Sequence, residues 1–206
     1  MFLLVCPPDY PASPPKVKLQ TTGGGTVRLN PNLYKSGKVC LSILGTWQGP
    51  SWQPSQSLAS VLLSIQSLLG EHPALNEPGF GQRATPETLE AYDAVIAHET
   101  LRVAVLDTLQ HLDTTVPEGL RDTVVGLARG FRDVYAATAA RGSRLDGTPF
   151  ADPFKNNVGG QNKGTFAFGE LALQISEALA ALGGTDGSDS DDGSDSDSDA
   201  GSDSDS

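Results

Sequence analysis

Cysteine is scarce in this sequence, which has only Cys6 and Cys40 among 206 residues. Two thiols cannot form the disulfide framework on which small secreted domains depend. The three histidines, His72, His98 and His111, show no ligand spacing with those thiols or with one another. We therefore expect a protein of a reducing compartment, the cytoplasm and the nucleus, with no metal and no other bound cofactor.

Long apolar runs are also lacking, and no stretch approaches the ~20 residues that a membrane span needs. The apolar run at residues 2–6 is too short for a signal peptide and has no basic flank. A membrane is therefore not an expected partner. Because this run begins without a preceding turn or helix cap, we expect that the natural sequence upstream of Met1 is missing from this chain.

Basic residues are few, 14 against 25 acidic ones, which argues against nucleic acid as a partner. Nine of the acidic residues are aspartates in residues 185–206, so residues 1–184 carry 16 acidic against 14 basic residues, a net charge of −2. A tail of Ser, Asp and Gly cannot bury enough apolar surface to offset its ordering entropy, and we predict that it is disordered. A basic excess in residues 1–40 suits either a solvated surface or a docking face for an acidic protein.

The remaining sequence predicts strands first and helices afterwards. Alternation of apolar and polar residues predicts strands over residues 2–6 and 16–21. Apolar residues at helical spacing predict helices over 58–69, 85–111, 118–140 and 167–182. In the first helix this apolar side consists of Leu58, Val61, Leu62, Ile65, Leu68 and Leu69. The order favours an α+β fold over a doubly wound parallel sheet.

Cys40 lies in the stretch that holds the most chemical information. If residues 39–44 are extended, Val39, Leu41 and Ile43 face the core, which leaves Cys40 and Ser42 on the accessible side. The plainer interpretation is that Cys40 is a small buried hydrophobe, as most free cysteines are. A cysteine–histidine hydrolase has little local support, because no histidine is near in sequence.

Several motifs appear together around Cys40. In chain order they are Tyr10-Pro11-x-x-Pro14-Pro15, Asn30-Pro31-Asn32, Gly37-Lys38-Val39-Cys40-Leu41-Ser42-Ile43-Leu44 and Trp52-x-Pro54, followed by the first predicted helix. In order and spacing they resemble the core of the ubiquitin-conjugating enzyme family over about residues 2–80. Asn30 in place of the usual histidine, the longer loop at 45–52 and the C-terminal extension with Asp152-Pro153-Phe154 resemble one subgroup of it. In that subgroup the cargo is ubiquitin or a tandem ubiquitin-like modifier.

The resemblance implies a fold, a set of domains and a reaction. The fold is a partial UBC fold, a small antiparallel sheet packed against helices, with a helical C-terminal extension and the acidic tail. Residues 1–111 form the core domain, 112–184 the extension and 185–206 the tail. Ubiquitin or a ubiquitin-like modifier is accepted as a thioester on Cys40 and passed to a lysine amine of a protein substrate. The activating enzyme, which consumes ATP, is a partner, and a ligase takes part in some transfers.

The resemblance also implies roles for residues other than Cys40. Asn32 donates to the oxyanion or holds the loop that does, although an asparagine after proline is also a common turn residue. The loop residue that gates or deprotonates the incoming lysine falls at Asn76 or Glu77. Ala12 replaces the large apolar residue with which many members bind RING ligases. Cys6 is expected to be a core strand residue.

Departures from the family pattern leave a second function open. The family places a helix and two strands before the segment with which this sequence starts, and that helix docks the activating enzyme. Without those elements a sheet edge would be exposed to water. The alternative is therefore a catalytically inactive, ubiquitin-conjugating-like interaction protein that binds the modifier or a ligase.

Overall fold

The computed structural model describes residues 1–154 and 161–182. Strand β1 (Phe2–Val5) pairs antiparallel with β2 (Lys16–Leu19), with Phe2 opposite Leu19. The α-helices of the described residues are α1 Leu58–Leu68, α2 Pro86–Glu99, α3 Asp107–Gln110, α4 Leu112–Thr115, α5 Arg121–Gly130, α6 Arg132–Gly142 and α7 Phe168–Ala181. The predicted α+β fold, a small antiparallel sheet with helices after it, is confirmed. The predicted disordered tail at 185–206 lies outside the described residues.

Helix α1 covers the small sheet with one side of its surface. Val61, Ile65 and Leu68 are buried at helical spacing. They pack in one cluster with Leu19 of β2 and with side chains of the 30–40 segment. The buried side is narrower than the sequence predicted, since Leu58, Leu62 and Leu69 are exposed. The buried side of α1 thus forms the core against which the segment before Cys40 packs.

Helix α2 begins where the sequence predicts it. The backbone N–H of Thr88 donates to the Thr85 hydroxyl at 3.3 Å, and Pro86 occupies the first helical position, where its missing N–H costs nothing. A π-helical segment, Thr100–Leu106, continues α2 into α3, so the chain stays helical to Gln110. The predicted helix over 85–111 is therefore confirmed, with one widened stretch in the middle.

The predicted helix over 118–140 is interrupted. A 3₁₀ turn at Glu118–Leu120 leads into α5, and Phe131 separates α5 from α6 with φ −98° and ψ 6°. Gly130, a weak helix former, directly precedes this break. Helix α6 continues to Gly142, where α7 approaches so closely that a Cβ would overlap the Phe168 ring. Only glycine allows that contact.

One apolar cluster joins the C-terminal helices to α2 and the π-helical segment. Its buried members include Val95, Leu101, Leu109, Phe168 and Leu171. Side chains from both sides of position 111 therefore share one core. The division into domains at 111/112 stays a prediction, and this shared core fixes the extension against the body that carries Cys40.

A buried polar group reinforces that junction. The backbone N–H of Ala167 donates to His98 Nε2 at 3.1 Å, so the His98 proton resides on Nδ1, which lies 3.0 Å from Glu99. Arg102 donates twice to the Glu99 carboxylate, at 2.9 and 2.6 Å. Burial favours the neutral acid, yet the bonds from His98 and Arg102 outweigh it and lower the pKa of Glu99. Glu99 therefore stays ionised and holds both partners.

Candidate active site

Cys40 ends a short hairpin that begins at Asn30. Leu33 pairs with Val39, and the Tyr34 N–H donates to the Lys38 carbonyl at 3.0 Å. The turn needs Gly37, whose φ is 85° and whose Cβ would lie 2.6 Å from the Leu19 carbonyl oxygen. This close approach sets the hairpin beside β2. The sequence Ser36-Gly37 therefore folds the chain back as expected.

The register of the hairpin separates its side chains into two faces. Leu33 and Val39 are both 1% exposed and belong to the cluster under α1. Asn32, Tyr34 and Cys40 lie on the opposite face, because side chains alternate along each strand. Tyr34 and Cys40 are diagonal neighbours across the hairpin, within reach of a long aromatic side chain.

The prediction that the Cys40 thiol is accessible is wrong. Cys40 does face away from Val39, as the alternation indicated, but the residue is only 2% exposed. Cys40 is nevertheless in none of the apolar clusters of the described residues. Burial raises the pKa of Tyr34, and electrostatic and hydrogen-bond interaction with Cys40 raises it further. The Tyr34 hydroxyl therefore keeps its proton.

The backbone turns directly after Cys40, so the predicted strand over 39–44 is also wrong. Ser42–Leu44 form a 3₁₀ turn that ends at Gly45 with φ 68°. The Thr46 hydroxyl accepts from the Leu41 N–H at 2.9 Å and donates to the Val39 carbonyl at 2.6 Å. Sequence reasoning did not identify Thr46. Its hydroxyl fixes the backbone on both sides of Cys40.

Asn32 contacts Cys40 twice. The Cys40 N–H donates to the Asn32 carbonyl at 2.9 Å, and Asn32 Nδ2 donates to the Cys40 carbonyl at 2.8 Å. The Asn32 N–H in turn donates to Asn30 Oδ1 at 2.8 Å, and Asn30 is fully buried. The amide of Asn32 is thus held in place and holds the backbone of the cysteine. Its catalytic role stays a prediction.

The other two candidate residues follow α1, in the loop that leads to α2. Asn76 Nδ2 donates to the Leu68 carbonyl at 2.9 Å, next to Asn30 Oδ1 at 3.4 Å. The Glu77 carboxylate lies 3.6 Å from the buried guanidinium of Arg28. Asn76 therefore stabilises the turn at Asn30, and Glu77 pairs with Arg28 of the segment before the hairpin. Their proposed part in receiving the lysine stays a prediction.

Arg28 is a further residue of this site that sequence reasoning did not select. It is 3% exposed, and its Nη2 donates to the Pro31 carbonyl at 2.5 Å. Its guanidinium carbon lies 4.7 Å from the centroid of the Tyr34 ring, a cation–π contact. The one available sequence signal was the basic excess of residues 1–40. Arg28 places a positive charge against the ring of Tyr34, the diagonal neighbour of Cys40.

Cys6 differs from the expectation of a core strand residue. It is exposed, because β1 ends at Val5 and the chain leaves the sheet at Pro7. A thiol reagent added to the folded protein is therefore expected to modify Cys6 before Cys40. Peptide mass spectrometry after timed iodoacetamide treatment measures this order. Modification of Cys40 first would contradict the burial of its thiol.

No group of three or more potential metal ligands occurs within residues 1–154 and 161–182. Within the same ranges, none of the helices has the combined length and apolar character that crossing a membrane requires. At this site Asn32 holds the backbone of Cys40, and Tyr34 is the diagonal neighbour of the cysteine on the same face of the hairpin.

Comparison with known proteins relates this sequence to a family. Residues 1–92 match the model of the family described as ubiquitin-conjugating enzyme. The chain is 46% identical over 175 residues to ubiquitin-conjugating enzyme E2 Z of Homo sapiens, an alignment that covers 85% of this chain and 48% of that protein. It is 47% identical over 175 residues to E2 Z of Danio rerio, and this alignment covers 85% of this chain and 52% of that protein.

A third relative shares a shorter region. The dual E2 ubiquitin-conjugating enzyme/E3 ubiquitin-protein ligase BIRC6 of Homo sapiens is 48% identical over 119 residues, which are 53% of this chain and 2% of that protein. The chain spans about half the length of the E2 Z proteins that it matches. Through residues 1–92, which contain Cys40 and its hairpin, the chain belongs to the ubiquitin-conjugating enzyme family.

Proposed function

We propose that this chain accepts ubiquitin or a ubiquitin-like modifier as a thioester on Cys40 and transfers it to a lysine amine of a protein substrate. The observation that carries the proposal is the double contact between Asn32 and Cys40, which fixes the backbone of a cysteine that faces away from the core. The family match and the names of the relatives support the same reaction and support ubiquitin as cargo.

In the charging step the Cys40 sulfur, having lost its proton to water, attacks the carbonyl carbon of the modifier's terminal residue. That carbon is held as a thioester by the activating enzyme. A new C–S bond forms, the old C–S bond breaks, and the thiolate of the activating enzyme leaves. ATP is consumed by the activating enzyme, so this chain needs no cofactor of its own.

In the transfer step an unprotonated lysine amine attacks the same carbon. A C–N bond forms, the C–S bond breaks, Cys40 leaves as a thiolate, and the amine releases a proton. Negative charge develops on the carbonyl oxygen before the C–S bond breaks, and polar groups already in place lower the barrier. Asn32 holds the backbone next to that oxygen, and Glu77 receives the proton or orients the amine.

The partners of this reaction are the modifier, its activating enzyme and the protein substrate, with or without a ligase. The test is incubation of the chain with activating enzyme, ATP and modifier, followed by intact-mass analysis. An adduct that a thiol reductant removes supports the proposal. Its absence under conditions that charge another conjugating enzyme would contradict the proposal and favour the inactive, modifier-binding alternative. Retention of the chain on immobilised modifier tests that alternative directly.

A further inference from the structure

Asn162, from the part of the chain that follows α6, forms a paired contact with the segment before the hairpin. The Arg28 N–H donates to Asn162 Oδ1 at 2.8 Å, and Asn162 Nδ2 donates to the Arg28 carbonyl at 2.9 Å. Asn162 is 2% exposed and Arg28 3%. One side chain thus satisfies both backbone groups of a buried residue, as a neighbouring strand would. The contact spans 134 positions of sequence.

Asp152 fixes Asn162 in this position. Its carboxylate accepts from the Asn162 N–H at 2.9 Å and from the Phe154 N–H at 2.8 Å, and the residue is 1% exposed. The Gln161 side chain donates to the Asp152 carbonyl at 2.8 Å. Asp152, Gln161 and Asn162 form one hydrogen-bonded unit, which we call the extension clamp. Phe154 anchors it to the body by packing its ring against Tyr92.

The extension clamp reaches the hairpin at a second point. Lys35 Nζ donates to the Gln161 carbonyl at 2.6 Å. The clamp thus bonds to Arg28, which precedes Tyr34 in sequence, and to Lys35, which directly follows it. The guanidinium carbon of Arg28 lies 4.7 Å from the centroid of the Tyr34 ring. Lys38 Nζ lies 5.7 Å from the same ring. The ring is therefore held by cations that the clamp and the hairpin keep in place.

We infer that the extension clamp consists of positioning residues that hold Tyr34 over the Cys40 thiol and so control access to it. The inference deepens the function proposed above, because charging requires another protein's terminal carbonyl to reach a sulfur that Tyr34 covers. Until that partner displaces Tyr34, the cover shields the thiol from small electrophiles. The extension thereby acts on the chemistry of the body without touching the reacting atoms.

The test measures alkylation of Cys40 and needs no activating enzyme. The full chain with Cys6→Ser is treated with iodoacetamide at fixed pH, and modification of Cys40 is followed by mass spectrometry. Asn162→Ala is expected to raise the rate about tenfold, the factor that corresponds to losing about 1.4 kcal/mol of preference for the closed cover. Tyr34→Ala should raise it at least as much. The double variant should not exceed Tyr34→Ala, because both changes remove the same cover.

Two further variants separate positioning from folding. Leu171→Ala weakens the apolar cluster of the extension, of which Leu171 is a buried member, and should leave the alkylation rate unchanged below its unfolding temperature. Lys35→Met removes only the contact with Gln161 and should give a smaller increase, which keeps the test valid if Asn162→Ala unfolds the extension. The inference is overturned if Asn162→Ala and Lys35→Met are both alkylated at the parent rate. It is also overturned if the rate increases caused by Asn162→Ala and Tyr34→Ala multiply in the double variant.

Failure of this inference is distinguishable from failure of the proposed function. Alkylation reports only whether the thiol is covered, and adduct formation with activating enzyme reports only whether it carries the modifier. If the variants change the alkylation rate but the chain forms no thioester, the positioning role is supported and the carrier role is contradicted. If the chain forms a thioester but its alkylation rate is the same in the Asn162 and Lys35 variants, the carrier role is supported and the positioning role is contradicted.

Discussion

Replacing Cys40 with alanine is expected to abolish the reductant-sensitive adduct completely, whereas Cys6→Ala leaves its yield unchanged. Cys40 is the sulfur that Asn32 and Thr46 fix through the backbone, and Cys6 is an exposed thiol beyond the end of β1. If the modifier is held on Cys40, the adduct requires that one sulfur and does not need Cys6. Intact-mass analysis of both variants, before and after reductant, measures the difference.

Cys40→Ser is the matched control for this prediction. Serine keeps the volume and replaces the sulfur with oxygen, so any modifier that it accepts is held as an oxygen ester, which thiols remove far more slowly. Circular dichroism of all three variants shows whether the fold is kept, since a single small substitution in the hairpin should leave the helices intact. Equal loss of adduct from the Cys6 and Cys40 variants would mean that the nucleophile is wrongly assigned.

Part of the fold follows from local sequence, and helix α2 and strand β2 are the clearest cases. Helix α2 begins at Pro86 after a hydroxyl cap from Thr85, two signals that act within four residues. The alternation of Val17 and Leu19 with lysines likewise predicted β2. The face of the hairpin on which Cys40 lies was also predictable, since Val39 is buried and side chains alternate. These features depend on neighbours in sequence.

The environment of Cys40 could not be predicted in the same way. Alternation states which way a side chain faces, and it does not state what lies above that face. Tyr34 shares that face with Cys40, placed by hairpin register and by Arg28, which in turn is fixed by Asn162. That contact joins positions far apart in the chain and leaves no periodic signal. The turn at Ser42–Leu44 was missed because branched residues suit strands, whereas the Thr46 hydroxyl fixes a bend.

Asn32→Ala is expected to lower transfer of the modifier from the charged enzyme to free lysine by about 100-fold, near the lower end of what a polar group at a developing oxyanion contributes. The variant keeps the backbone bond between residues 32 and 40 and loses the donation from Nδ2 to the Cys40 carbonyl. The cysteine backbone then moves relative to the carbon under attack. Single-turnover discharge of a purified thioester measures the rate.

Asn32→Asp distinguishes the donor from the shape of the side chain. Aspartate has nearly the same volume, cannot donate when ionised, and places negative charge where negative charge develops, so transfer should fall at least as far as in Asn32→Ala. Gln174→Ala serves as the matched amide control, because among residues 1–154 and 161–182 the side chain of Gln174 donates only to Glu170 on α7. Transfer by either Asn32 variant within twofold of the parent rate would contradict the proposed role of the amide.

Charging should slow together with transfer in Asn32→Ala. The same sulfur attacks in one step and leaves in the other, and the amide acts in both by fixing the Cys40 carbonyl. If Asn32 instead acted only as a donor to the oxyanion of the amine reaction, transfer alone would fall and charging would keep its rate. Measuring both steps on one variant thus distinguishes a residue that holds the Cys40 carbonyl from a direct donor to the oxyanion, and the observed bond to that carbonyl favours the holding role.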